Sequence, residues 1–135
     1  MNMAMTTGKT YRHTLSAFMR ECGYDVAEDM PVGEKIDGNI MKAQCVINPN
    51  RKRRTLVFVR TQTVRGSAEN RVPFDVINIA DNMKAGEKAY LVLSGKGWQL
   101  EKKKFFVERL AKIMGAKIKI VSEADFRMSA VRKAV

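Results

Sequence analysis

From Tyr11 onward, apolar residues return at Leu15, Phe18, Met19 and Cys22, the spacing of one helix face. Gly23 follows as a stop signal, because glycine accepts the left-handed conformation that closes many helices. The pattern predicts a helix from Thr10 to Cys22 behind a flexible leader over residues 1–9. Tyr24 to Gly33 shows no clear period, and Pro31 and Gly33 mark a loop. Ile36 to Ile47 reads as extended, with Asp37 near its start. The segment NPNRKRR, Asn48 to Arg54, has turn chemistry at its front and four consecutive cations at its back. Thr55 to Thr63 then reads as a strand, so a hairpin with a basic tip is the natural connection.

Gly66 and Ser67 break that strand, and Ser67 is a candidate N-cap. A helix runs on to about Met83, with Val72, Val76, Ile79, Ala80 and Met83 along one face. Proline is tolerated only near a first turn, so Pro73 moves the proper start of this helix to Val72 or Pro73. Ala89 to Gly95 is a short, continuously apolar strand of the doubly covered kind. Leu100 to Met114 predicts a helix with Leu100, Val107, Leu110 and Met114 inward and most of its lysines elsewhere, and Gly115 ends it. Lys117 to Val121 alternates isoleucine with lysine, as an edge strand does. A short basic helix or tail completes the chain. Helices between short buried strands predict an α/β fold, a mixed central sheet flanked by helices, with residues 10–135 as one domain.

Charge narrows the function. The chain has 135 residues, a net charge of +11 and an isoelectric point near 10.0. Such an excess favours a polyanionic partner, nucleic acid first, with an acidic protein or an anionic membrane as alternatives. No apolar run reaches the roughly 18 residues of a membrane span. The N-terminus has no signal-peptide core, so a cytoplasmic protein is expected. Two cysteines, Cys22 and Cys45, and one histidine, His13, leave almost no scope for a zinc site or a Cys–His or Ser–His–Asp catalyst. Ser94-Gly95-Lys96-Gly97-Trp98 lacks the spacing of a phosphate-binding P-loop, and Trp98 either stacks on a base or closes the core.

The motif order carries a resemblance. GEKIDGNI, then VFVRTQTVRGSAENRVPF, then LVLSGKGW resembles the PD-(D/E)XK nuclease superfamily, the restriction-endonuclease-like fold. The resemblance implies a metal-ligand role for Asp37. It matches Gln62 to the glutamine after the third strand, and Gly66, Ser67, Ala68, Glu69 and Arg71 to the loop and helix opening. Arg60 stands where that family has its catalytic lysine, and Phe58 where it has a glutamate. Residues two apart on a strand share a face, so Phe58, Arg60 and Gln62 point together. Phe58 offers no oxygen to a magnesium ion, and Arg60 stays protonated while able to hold a phosphate through two bonds.

The implied site keeps one carboxylate and one phosphate clamp, unless Glu69 or Glu21 has migrated to serve the metal. Nucleic-acid contacts are expected from the tip, Arg51, Lys52, Arg53 and Arg54, and from Arg65, Ser67, Arg71 and Lys96. Three functions follow. The first is a protein that grips duplex or branched DNA on a nuclease-like fold with a degraded or rearranged metal centre. The second is an active Mg²⁺-dependent endonuclease with a migrated carboxylate. The third is a basic module that binds an acidic protein. The resemblance alone implies a homodimer.

Overall fold

The computed structural model describes residues 8–62 and 68–135, with backbone only for 8–13 and 100–103. The elements are α1 (Gly8–Glu21), β1 (Val26–Glu34), β2 (Ile40–Ile47), β3 (Thr55–Gln62), a 3-10 turn at Glu69–Arg71, α2 (Val72–Asn82), β4 (Lys88–Gly95), α3 (Leu100–Ile113), β5 (Ile118–Ser122) and α4 (Glu123–Val131). The five strands lie in sequence order in one sheet. β1, β2 and β3 form an antiparallel meander, while β3, β4 and β5 run parallel. The parallel half needs helical crossovers, which α2 and α3 supply. No helix among the described residues is long and apolar enough to cross a membrane.

The sheet is covered on both faces. Val72, Val76 and Ile79 of α2 pack with Val107 and Ala111 of α3 over Leu56, Phe58, Leu91 and Ile120. On the other face Leu15 and Met19 of α1 pack with Phe126 and Ala130 of α4 over Cys45, Val57, Tyr90 and Val92. The unbroken apolar runs of β3 and β4 follow from this double cover. The rings of Tyr90 and Phe126 meet edge to face, with centroids 5.2 Å apart. Met19 is wholly buried, whereas Met114, expected inward at the end of α3, is 40% exposed.

β1 replaces the loop expected over Tyr24–Gly33. It is an edge strand, which is where a sheet tolerates Pro31. The pairing with β2 shifts between Pro31 and Gly33. Gly33 has φ +147°, and a Cβ there would collide with the Asn82 side-chain amide. That amide lies close because it pairs with the edge. Asn82 accepts from the Glu34 N–H at 3.2 Å and donates to the Glu34 carbonyl at 2.8 Å. Asn78 accepts from the Ile36 N–H at 2.9 Å. Two side chains of α2 thus act as a short extra strand and fix the β1–β2 turn over the sheet.

Candidate functional site

β2 and β3 separate after a short pairing. Their register covers Cys45–Ile47 against Thr55–Val57 and goes no further. Beyond it the Gln44 side chain accepts from the Val59 N–H at 2.9 Å, standing in for a ladder bond. The strands then open as a fork around a cavity of about 170 Å³. Lys35, Lys42 and Gln44 line it from the β1–β2 side, Phe58 and Arg60 from β3, and Asp75 from α2. Alternation along β3 turns Phe58 and Arg60 toward α2. Phe58 is 6% exposed and belongs to the core under that helix. Arg60 reaches beyond it and holds Asp75 with two bonds, Nε to Oδ2 at 2.8 Å and Nη2 to Oδ1. Among the described residues, three cations therefore face the fork against one carboxylate, and that carboxylate is already bound.

Asp37 is not one of the groups around this cavity. It lies in the exposed turn between β1 and β2, not at the start of a strand. Its Oδ1 accepts from the Asn39 N–H at 2.9 Å and its Oδ2 from the Asn39 side chain at 3.0 Å. The backbone N–H of Asn39 first, and its side-chain amide second, hold the Asp37 carboxyl below its ordinary value of 3.8. Gly38 at φ +86° completes the turn. The residues that face β3 across the fork are Lys42 and Gln44. The sequence does not single out either, because they are ordinary polar positions in the run IMKAQCVI. A signal was available: Gln44 is an amide set between Ala43 and Cys45, where a buried strand would carry an apolar side chain. Asp75 lay hidden in the first turn of α2, where an aspartate is common.

The two migrated-carboxylate candidates are elsewhere. Glu21 is exposed at the end of α1, which covers the sheet face opposite α2. Glu69 is 9% exposed and accepts from the Gln99 N–H at 2.8 Å, fastening the turn before α2 to the start of α3. Gln62 is wholly buried. Its amide donates to the Lys96 carbonyl at 2.8 Å and accepts from the Ala68 N–H at 2.9 Å. Its own carbonyl accepts from the Lys96 N–H at 2.9 Å. Gly95 pairs opposite it with φ +96°, and a Cβ there would strike the Gln62 carbonyl. The glutamine is a latch between two loops.

The cations divide by position. Arg71 and Lys96 are exposed near the Gln62 end of β3. Arg51, Lys52 and Arg53 are exposed at its other end. Arg54 is withdrawn from the tip. Its side chain is 13% exposed and bound to Glu87, itself 2% exposed. Arg65, Gly66 and Ser67 lie outside the described residues. Trp98 donates to the Ser94 carbonyl at 2.8 Å and packs on the core, so it closes the molecule there.

The family model for the PD-(D/E)XK nuclease superfamily domain matches residues 3–130. The chain belongs to the PD-(D/E)XK nuclease superfamily. Two solved structures share its fold. Restriction endonuclease PspGI, in complex with substrate DNA, matches with a TM-score of 0.59 at 10% identity, over 94% of this chain and 61% of that one. AF1548, a protein of unknown function, matches with a TM-score of 0.55 at 11% identity, over 84% and 57%. The chain thus spans about three fifths of the length of each. A comparison with curated proteins found no match. PD-(D/E)XK nucleases typically use divalent metals, which need several hard oxygen ligands. The fork as its described residues line it does not fit that need: they offer an amide, a phenyl ring, three cations and the Arg60-bound carboxylate of Asp75. Among the described residues no three Asp, Glu, His or Cys side chains are grouped to hold a metal ion.

Proposed function

We propose that this chain binds the phosphate backbone of duplex or branched DNA at the fork without hydrolysing it. The observation that carries the reading is the lining of the fork. Where a magnesium-dependent enzyme needs carboxylates, this chain presents Lys35, Lys42 and Arg60. A metal ion would bring positive charge to a phosphate there, and here the lysines and arginine bring it directly. Arg60 is held in place by Asp75, so its planar guanidinium is oriented before a ligand arrives. Arg71 and Lys96, exposed at the same end of β3, extend the basic surface past the fork. The excess of 25 basic over 14 acidic residues supplies long-range attraction.

The test pairs binding with cleavage. Wild-type protein binds linear and branched duplexes in low salt, with an affinity that falls steeply as salt rises. Lys42→Glu weakens that binding, and neither Mg²⁺ nor Mn²⁺ produces cut products. Metal-dependent cleavage abolished by Asp75→Asn would overturn the reading in favour of a rebuilt active site. No affinity for DNA at low salt would overturn it in favour of an acidic protein partner. The resemblance to restriction enzymes extends the proposal to a homodimer, which sedimentation at increasing protein concentration tests.

A further inference from the structure

A second concentration of positive charge lies at the far end of the sheet. β3, β4 and β5 all begin there. The segments leading into them, residues 48–54, 83–88 and 114–117, bring up exposed Arg51, Lys52, Arg53, Lys84, Lys88 and Lys117. Backbone bonds hold the segments side by side. The Lys88 N–H donates to the Arg54 carbonyl at 3.3 Å, and the Ala89 N–H to the Lys117 carbonyl at 2.9 Å. The Arg53 stem lies against Gly86. A groove of about 380 Å³ runs between the first two segments, lined by Arg51, Lys52 and Lys84.

The sole carboxylate in these segments is Glu87. It is buried, bound to Arg54, and accepts from the Lys84 N–H at 2.7 Å. It therefore cancels the charge of Arg54 and leaves the six exposed cations uncompensated within their segments. Asp25 borders the patch, its carbonyl accepting from the Asn48 N–H at 2.9 Å.

This patch cannot be part of the fork. β3 is extended, and the five residues from Thr55 to Arg60 at about 3.3 Å each put Arg60 roughly 16 Å beyond the end of the strand that Arg53 leads into. The three segments sit on adjacent strands about 4.8 Å apart, so the row of cations spans roughly 10 Å. That matches several phosphates of one DNA strand, which follow each other at about 3.4 Å along the axis. We infer that this end of the sheet is a second polyanion-binding surface, which takes the phosphate backbone of a duplex segment other than the one at the fork. Together the two ends make the protein a bridge between two nucleic-acid segments, and the bridging rests on the fork reading above.

The experiment titrates the full chain with a short blunt duplex and reads stoichiometry per chain. It compares wild type with the Arg51→Glu, Lys52→Glu, Arg53→Glu triple variant and with Lys42→Glu. A second assay asks whether protein on an immobilised duplex captures a labelled one. Wild type binds two duplexes per chain and captures the second. Each variant loses one of the two binding events per chain, and the salt dependence of the event lost in the triple variant is the tip's own. Unchanged stoichiometry and capture in the triple variant would overturn the second surface. Complete loss of binding in the triple variant, with Lys42→Glu unaffected, would uphold this surface and overturn the fork instead. Lys88→Glu, a single exposed change on the neighbouring strand, repeats the test should the triple variant fail to fold.

Discussion

Gln62 offers a direct separation of architecture from chemistry. Its side chain is wholly buried and makes two hydrogen bonds that no other described group duplicates. Gln62→Ala leaves the Ala68 N–H without its partner in a buried setting, at a cost of about 1–3 kcal/mol. The Lys96 carbonyl is only partly buried and turns to water at about 0.5–1.5 kcal/mol, the net worth of one bond. The sum is about 1.5–4.5 kcal/mol, before any collapse of the space left behind. Gln62→Leu fills most of that space and keeps the polar part of the loss, so it separates the two causes. Urea unfolding reads the change as a shift in midpoint at constant slope. DNA affinity of the folded variant, measured well below the unfolding midpoint, falls far less than stability does. A stability cost under about 1 kcal/mol together with lost DNA binding would refute the latch and return Gln62 to a ligand-touching role.

Other perturbations follow from the same structure. Glu87→Gln strands a nearly buried Arg54 and costs about 3–5 kcal/mol by denaturation, whereas replacing both partners with apolar residues recovers much of the loss. Asp37→Ala leaves DNA affinity within twofold, since the carboxylate is bound to Asn39 outside the fork. A tenfold loss would place it in the site. An NMR titration is expected to find the Asp37 carboxyl below its ordinary 3.8. Because the folded value is the lower one, its support of the turn is complete above 3.8 and is lost as pH falls through that folded value. Burial pushes the Cys45 thiol up, so Cys45 resists alkylation in the native protein and reacts on unfolding, while the half-buried Cys22 reacts first.

Much of the architecture was legible because period and burial agree. The continuous apolar run of β4 and the 3.6-residue spacing of α1 and α2 each reflect a face that meets a core. β1 was illegible for a physical reason. An edge strand tolerates proline and a glycine bulge, and its outer edge is satisfied by Asn78 and Asn82 from a helix some 50 residues away. The site was less legible than the fold. Asp37 drew attention as an acid near an extended stretch, yet a turn can consume an aspartate as readily as a metal can. Gln44 and Asp75 become visible only when the fork shows which side chains it turns inward. Arg54 read as one of four equal cations, and only the burial of Glu87 separates it from the other three.

Phe58 has a consequence for stability. Carboxylates clustered for a metal repel one another when the metal leaves, and a nuclease carries that repulsion as a standing cost to its stability. Here Phe58 puts a buried ring on β3, where it joins the core under α2. On the proposed reading, the protein gains cohesion at this position in place of charge repulsion. Its melting temperature should accordingly be indifferent to magnesium, where a metal-loaded site would be stabilised by mass action. On that reading the scaffold is held by its core at this position and needs no ion to relieve it.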